Sequence, residues 1–112
     1  ATVEHYHIPV ITVIFNNRNL GMVRQWQSLI YDHRYSQTSL ENRSPDFVKF
    51  ADAFGLKGRR VTQPSELEEA ITEALAESAQ GRGYVIDCAI NADEMVHPMV
   101  NGGHHITEFL LS

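Results

Sequence analysis

Two adjacent asparagines, Asn16 and Asn17, follow a mostly apolar and β-branched run at residues 10–15. Such a run is typical of a parallel strand that is buried on both faces of a sheet. A short polar turn comes next, and then Gly21 and a helical pattern that begins at Met22. In open α/β sheets, ligands bind at the carboxyl ends of strands, where a strand gives way to a loop and a helix. The segment therefore predicts a ligand site.

The residue types of this turn indicate what the ligand would be. The amide oxygens of Asn16 and Asn17 are hard, neutral ligands that suit Mg²⁺ or Ca²⁺, and the backbone carbonyls of residues 18–20 could add a second ligand. A helix N-terminus near Gly21 favours a phosphate group. Together these features suggest a metal–diphosphate site, although paired asparagines also form good turns without any ligand.

Two large side chains lie on the helix that follows. Met22 and Trp26 are four residues apart and therefore share one helix face. They could form the wall of a substrate pocket. Ordinary core packing explains the same spacing, and the residues alone favour it.

The rest of the chain alternates predicted helices and strands, which indicates an α/β fold with a mostly parallel sheet and helices on both faces. Residues 1–7 resemble the end of a helix, and Ser44, Pro45 and Asp46 predict a helix start with Ser44 as the cap and a stop at Gly55. The other predicted elements are a strand at 10–15, a helix at 22–31, an irregular polar loop at 32–43, a strand at 58–62, a helix opened by a capping box at 65–68, a strand at 84–90, and a tail from 91 with a short helix at 107–111.

Periodicity predicts which helix faces are buried. One predicted stripe consists of Phe47, Phe50, Ala51 and Phe54, and the other of Leu67, Ala70, Ile71, Ala74 and Leu75. The glutamates of the second helix are expected to form a solvated face, namely Glu66, Glu68, Glu69, Glu73 and Glu77.

Composition excludes several classes of function. The 112 residues suffice for one small domain, and a formal net charge of −5 argues against nucleic-acid binding. No apolar run approaches the roughly 18 residues of a membrane span. Cys88 is the single cysteine and is expected to be a small core residue rather than a nucleophile. The six histidines lack the spacing of a zinc site, and no Ser-His-Asp arrangement is evident.

The chain is expected to be a fragment, because it begins at Ala1, within the apparent end of a helix. Several of its segments resemble acetolactate synthase (acetohydroxyacid synthase) large subunits, the thiamine-diphosphate-dependent catalytic subunits of that enzyme. The matching segments are NNRNLGMVRQWQ at 16–27, YDHRYS at 31–36, PDFV at 45–48, AFG at 53–55 and PMV at 98–100. The resemblance covers nearly the whole chain, as a partial C-terminal thiamine-diphosphate-binding domain (residues 1–112) with a tail or arm at 89–112.

The resemblance implies a role for each matched residue. The Asn17 side chain and the Asn19 backbone carbonyl would be Mg²⁺ ligands, and Asn17, Gly21 and Met22 would contact thiamine diphosphate. Met22 and Trp26 would line the substrate channel, where Trp26 favours 2-oxobutanoate. No catalytic residue is assigned within the chain, because the family's Gly-Asp-Gly half of the metal motif, its activating glutamate and its FAD-holding middle domain are not matched.

The implied reaction decarboxylates pyruvate and condenses the product with a second pyruvate or 2-oxobutanoate, in branched-chain amino acid biosynthesis. The implied partners are 2-oxo acids, further copies in a homodimer or homotetramer, and a regulatory small subunit. The enzyme would be cytoplasmic in bacteria and organellar in eukaryotes. The isolated chain is expected to be inactive.

Two other interpretations remain open at this stage. The chain could come from another thiamine-diphosphate enzyme of the pyruvate oxidase or glyoxylate carboligase type. It could also be a non-catalytic α/β module that only associates with partners.

Overall fold

The computed structural model describes residues 1–41, 43–100 and 102–110. Asn42 of the predicted loop, and Asn101, Leu111 and Ser112 of the predicted tail, lie outside the described residues. The elements are α1 (Thr2–His5), β1 (Ile11–Asn16), α2 (Gly21–Leu29), α3 (Phe47–Asp52), β2 (Lys57–Val61), α4 (Leu67–Ser78), β3 (Tyr84–Ala89), β4 (Met99–Val100) and β5 (Phe109–Leu110), with a 3₁₀ turn (Pro64–Glu66) before α4.

A parallel three-stranded sheet in the order β1-β3-β2 forms the centre of the described chain. In its register both Ile11 of β1 and Lys57 of β2 pair with Tyr84 of β3. The α4 helix packs on the face that carries Tyr84 and Ile86, while α3 packs on the opposite face. The predicted α/β class, with helices on both faces of a parallel sheet, is confirmed.

The apolar core lies between α4 and the sheet. Ala70 and Ala74 bring the helix close to the strands, where they meet three buried residues, Val61, Tyr84 and Ile86. Cys88 packs against this cluster as a half-buried residue, in agreement with its predicted packing role.

The predicted burial of Leu67, Ile71 and Leu75 was wrong, because all three are exposed. The small alanines make the close contact, so the larger side chains lie to either side of it. The expected burial of β1 on both faces was also wrong, because β1 lies at the edge of the described sheet and Val13 and Phe15 are exposed, Phe15 at 73%.

The α3 helix begins and packs differently from the prediction. The cap is Asp46 rather than Ser44, since the Asp46 carboxylate accepts from the backbone N–H groups of Val48 and Lys49 at 3.2 and 3.1 Å. The bond from the Lys49 N–H is the main reason that the pKa of Asp46 lies below its usual value.

The predicted buried stripe of α3 was only partly correct. Ala51 is buried and Phe47 is half-buried, but Phe50 and Phe54 are exposed. This short helix meets the sheet through Ala51, beside Gly58, and the two phenylalanine rings contact each other edge to face at 5.1 Å. Gly55, with a φ of +77°, ends the segment as predicted.

The capping box before α4 lies two residues earlier than predicted. The Glu66 carboxylate accepts from the backbone N–H groups of Thr62 and Gln63 at 2.8 and 3.0 Å. Pro64 fits the first position of the turn, where its missing N–H has no cost, so the helical geometry begins there.

The predicted solvated glutamate face of α4 was wrong for Glu77. This residue is buried and forms ion pairs with Lys57 and Arg82. Hydrogen bonds from Arg82 and Lys57 lower the pKa of Glu77 to about 2. Glu69 and Glu73 remain accessible but pair with Arg59 across the edge of the sheet.

The predicted helix at 107–111 was wrong over its described part. Phe109–Leu110 is instead a short strand that pairs antiparallel with Met99–Val100. In the part of the chain that the structure describes, no helix has the length and apolar character needed to cross a bilayer.

Candidate cofactor site at the carboxyl end of β1

The loop after β1 is shaped by its own asparagines. The Asn16 Oδ1 atom accepts from the Arg18 N–H at 3.1 Å, and the Asn17 Oδ1 atom accepts from the Asn19 N–H at 3.0 Å. Arg18 adopts a left-handed conformation, with a φ of +55°. The asparagines thus form turns, but an amide oxygen has two lone pairs, so Asn17 keeps one for a cation.

The Asn19 carbonyl is a second available oxygen. The loop is braced on both sides of Asn19, because Leu20 N–H donates to the Thr38 carbonyl at 2.9 Å and Leu40 N–H donates to the Arg18 carbonyl at 2.8 Å. Among the described residues, no hydrogen-bond donor reaches the carbonyl oxygen of Asn19 itself. The irregular loop after α2 therefore supports the candidate metal loop.

The start of α2 completes the site. Leu20 at the N-cap makes no side-chain cap, and the first turn has no acidic residue, so the first N–H groups of α2 are free to bind an anion. A Cβ atom on Gly21 would lie 2.9 Å from the Asn17 Nδ2 atom. Glycine at this position lets the Asn17 amide lie directly against the helix start.

These observations fit a divalent cation beside a diphosphate. Asn17 Oδ1 and the Asn19 carbonyl offer neutral oxygens, and the start of α2 offers N–H donors next to them. Within the described ranges, no group of three or more His, Cys, Asp or Glu side chains is arranged to hold a metal. A cation here would therefore be held through amide, carbonyl and phosphate oxygens, an arrangement that suits Mg²⁺.

The two candidate channel residues differ in their surroundings. Trp26 is half-buried and lines an open groove of about 540 Å³ together with Val23, Gln27, Tyr31 and Arg34. Met22 is one turn closer to the helix start, is exposed, and does not line this groove.

Sequence reasoning missed a buried charge beneath the loop. Asp87 of β3 is fully buried, and its Oδ1 atom accepts from Asn16 Nδ2 at 2.9 Å. Its Oδ2 atom accepts from Arg60 Nε and Nη2 at 2.9 and 2.7 Å. An acidic residue inside the apolar strand at 84–90 was the available signal, because a buried carboxylate requires partners.

Sequence reasoning also missed the residue that anchors the segment after β3. Gln25 is buried on α2, where its Oε1 atom accepts from Val96 N–H at 2.9 Å and its Nε2 atom donates to the Val96 carbonyl at 3.0 Å. Arg24 adds an ion pair to Asp93 at 2.6 Å and lies over the Tyr35 ring at 3.8 Å. The helix that begins at the candidate site therefore also holds the start of the tail.

Comparison with known proteins agrees with this geometry. The family model described as the thiamine pyrophosphate enzyme, C-terminal TPP binding domain, matches residues 1–88. This range includes the loop after β1, the start of α2 and Asp87.

Individual relatives are acetolactate synthases. The isozyme 3 large subunit of Escherichia coli is 40% identical over 112 residues, which cover all of this chain and 19% of the relative. A probable large subunit from Methanocaldococcus jannaschii is 42% identical over 98% of this chain and 18% of its own length. The acetolactate synthase of Mycobacterium bovis is 48% identical over 92% of this chain and 17% of its own length.

The chain thus spans less than a fifth of the length of these curated relatives. The resemblance to acetolactate synthase large subunits is confirmed as a similarity over essentially the whole chain. Since the family model covers more than half of its residues, this chain belongs to the thiamine pyrophosphate enzymes, within their C-terminal TPP-binding domain.

Proposed function

We propose that this chain provides part of the thiamine diphosphate and Mg²⁺ site of an acetolactate synthase large subunit. The Asn17 side chain and the Asn19 carbonyl hold Mg²⁺, and the N-terminal N–H groups of α2, at Gly21 and Met22, face the diphosphate. The observation that carries the proposal is the direct contact of the Asn17 amide with the helix start, which Gly21 permits. This contact supports the proposal, because it brings an amide whose oxygen suits a cation next to a helix start that suits an anion.

The proposed reaction is the decarboxylation of pyruvate and its condensation with a second 2-oxo acid, as in branched-chain amino acid biosynthesis. Bound thiamine diphosphate supplies the electron sink for the loss of carbon dioxide. The residues of this chain bind and orient the diphosphate through Mg²⁺ and form one wall of the substrate approach. We assign no catalytic acid or base to the chain, and FAD, where present, would bind elsewhere in the protein.

The proposal also covers the assembly and the location of the longer protein to which the similarity with the relatives points. The large subunit would form a homodimer or homotetramer, would accept a regulatory small subunit, and would act in the cytoplasm of a bacterial cell. Residues 89–112 would form an arm beside the site, since the start of this segment is held by Gln25 on α2.

The metal-site proposal is tested with Asn17→Ala and Asn19→Ala in the longer protein. Asn17→Ala removes the side-chain ligand, so we expect the Mg²⁺ concentration for half-saturation, measured by calorimetry with thiamine diphosphate, to rise about tenfold or more. Asn19→Ala is the comparison variant, because it keeps the backbone carbonyl that we assign to the metal and removes only the side-chain donor to the Asn17 carbonyl, so its loss should be the smaller one. Equal losses in both variants, or none in Asn17→Ala, would contradict the assignment.

The substrate proposal is tested at Trp26, which lines the groove beside α2. Trp26→Leu in the longer protein should weaken the preference for 2-oxobutanoate, because a smaller side chain contacts the extra methylene less, with a loss of about 1 kcal/mol or more in discrimination. The measurement is the ratio of acetohydroxybutyrate to acetolactate formed from mixed substrates. An unchanged ratio would count against the role of Trp26. Products other than these two would point to a different thiamine-diphosphate enzyme.

A separate expectation concerns the chain on its own. The loop provides only two of the cation ligands that Mg²⁺ requires, so the 112-residue chain should bind thiamine diphosphate weakly and form no acetolactate. Micromolar binding of the cofactor by calorimetry would contradict this expectation.

A further inference from the structure

We infer that Arg60, Asp87 and Asn16 form a positioning network that holds the Asn17–Asn19 loop in the geometry Mg²⁺ requires and so favours Mg²⁺ over the larger Ca²⁺. None of the three residues would contact the cation. The inference rests on the proposed cofactor site and adds to it the residues that determine its metal selectivity.

The network joins all three strands of the sheet. Arg60 lies on β2, Asp87 on the central strand β3, and Asn16 at the last position of β1. In the register, Arg60 is directly opposite Asp87, and all three side chains lie on the α3 face of the sheet. The carboxylate at its centre is fully buried, with one oxygen bonded to Asn16 and the other to Arg60.

The arrangement fixes the orientation of the Asn16 amide. Its Nδ2 atom donates to Asp87, so its Oδ1 atom must point away, towards the loop, where it accepts from the Arg18 N–H at 3.1 Å. This last bond stabilises Arg18 at a φ of +55°, a conformation that residues other than glycine adopt at a cost. Arg18 lies between the two ligand-bearing residues, so its backbone conformation determines how the Asn17 and Asn19 oxygens face each other.

A buried ion pair of this kind is weak evidence for stability, because desolvation of the charges offsets much of their attraction. Replacing Arg60 alone would leave the buried Asp87 carboxylate without its cation and would lower stability, although the apolar core on the opposite face of the sheet would keep its contacts. The directional hydrogen bonds of Asp87 to Arg60 and Asn16 are better explained by a requirement for a defined geometry of the loop. Mg²⁺ demands near-ideal octahedral ligands at short distances, whereas Ca²⁺ tolerates irregular ones, so a loosened loop should affect Mg²⁺ more.

The experiment compares Arg60→Met with Arg59→Met in the longer protein. Arg59 is the next residue on the same strand but lies on the α4 face, where it pairs with Glu69 and Glu73. Each variant is stripped of metal, given excess thiamine diphosphate, and titrated with Mg²⁺ or Ca²⁺ by calorimetry. We expect Arg60→Met to raise the half-saturating Mg²⁺ concentration about tenfold and the Ca²⁺ value less than about threefold, with both values nearly unchanged in Arg59→Met.

Other outcomes overturn the inference. If Arg60→Met weakens both cations equally, or neither, the network does not set metal geometry, while the proposed cofactor site still stands. If the unmodified protein binds no cation with thiamine diphosphate, the proposed function fails and the inference fails with it.

A second variant covers the case in which Arg60→Met does not fold. In Asn16→Ser the hydroxyl is able to accept from the Arg18 N–H but is too short to bond Asp87 as the Asn16 amide does. The network predicts the same preferential loss of Mg²⁺ affinity in Asn16→Ser. A wild-type ratio of Mg²⁺ to Ca²⁺ affinity in a folded Asn16→Ser protein would also overturn the inference.

Discussion

The two halves of this molecule are held together by different forces. The half formed by α4, β2 and β3 has a packed apolar cluster of Val61, Ala70, Ala74, Tyr84 and Ile86. The half formed by the loop after β1, α2 and the segment after β3 is joined mainly by hydrogen bonds between side chains and backbone, such as those of Gln25 to Val96.

This difference means that one set of contacts supplies most of the stability and another set fixes the positions of atoms. Apolar burial is strong but non-directional, so it holds α4 on the sheet without fixing any atom exactly. Hydrogen bonds add little net stability but impose distance and angle, which a metal or diphosphate site requires. We therefore expect changes in the apolar cluster to alter unfolding, and changes in the hydrogen-bonded groups around the loop to alter binding.

The largest effect on stability is expected at Ile86, which is fully buried in the packed half. Ile86→Ala should lower the free energy of unfolding by about 2–5 kcal/mol, because it removes apolar contacts and leaves a cavity. Urea unfolding followed by circular dichroism measures this change. Ile71→Ala, at an exposed position of α4, is the control and should cost much less. Similar losses in both variants would show that the packed half is not the stable one.

A smaller and more local effect is expected at Gln25. Gln25→Ala leaves the N–H and carbonyl of Val96 without their partner and should release the start of the tail from α2, at about 1–2 kcal/mol. Hydrogen exchange of the Val96 amide should accelerate about tenfold, while amides of β3 keep their protection. If the amides of β3 also lose protection, the two halves do not open independently, and the proposed difference between them is contradicted. Gln80→Ala, an exposed position after α4, is the control.

The smallest effect is expected from the ion pairs that surround the packed half. The pKa of Glu77 is lowered from 4.5 to about 2 by Arg82 and Lys57, so its stabilising contribution is complete above pH 4.5 and is lost as the pH falls towards 2. Between pH 4.5 and about 2, the free energy of unfolding should fall less steeply with pH in Glu77→Gln, because the variant has no such carboxylate to protonate. Glu68→Gln, at an exposed position of α4, should keep the wild-type slope. If the free energy of unfolding depends on pH equally steeply in wild type and Glu77→Gln, the ion pairs of Glu77 do not contribute to acid stability.

Much of this architecture could be predicted, because its signals are local in the sequence. The apolar runs at 10–15 and 84–90 predicted β1 and β3 to within one residue at each end. The asparagine pair and Gly21 predicted a strand end, a loop and a helix start within a dozen residues, and the structure has this order, while the ligand assigned to these residues stays a prediction.

The rest depends on contacts between distant residues. Arg60 and Asp87 are 27 positions apart, and Gln25 and Val96 are 71 apart, so no periodic pattern relates them. Helix spacing indicated which side of α3 is apolar, but it could not indicate that Ala51 alone would make the close contact while Phe50 and Phe54 stay exposed. The close approach of Ala51 to Gly58 on a neighbouring strand decides that outcome, and the periodicity of a single helix does not encode it.

The exposed apolar side of β1 has a practical consequence. Phe15 and Val13 project from a strand that, among the described residues, has a sheet partner along one edge only. An apolar strand with an open edge is a template for pairing with another chain. The 112-residue chain should therefore self-associate in concentrated solution, and a lysine in place of Phe15 should keep it monodisperse without disturbing the loop at Asn17.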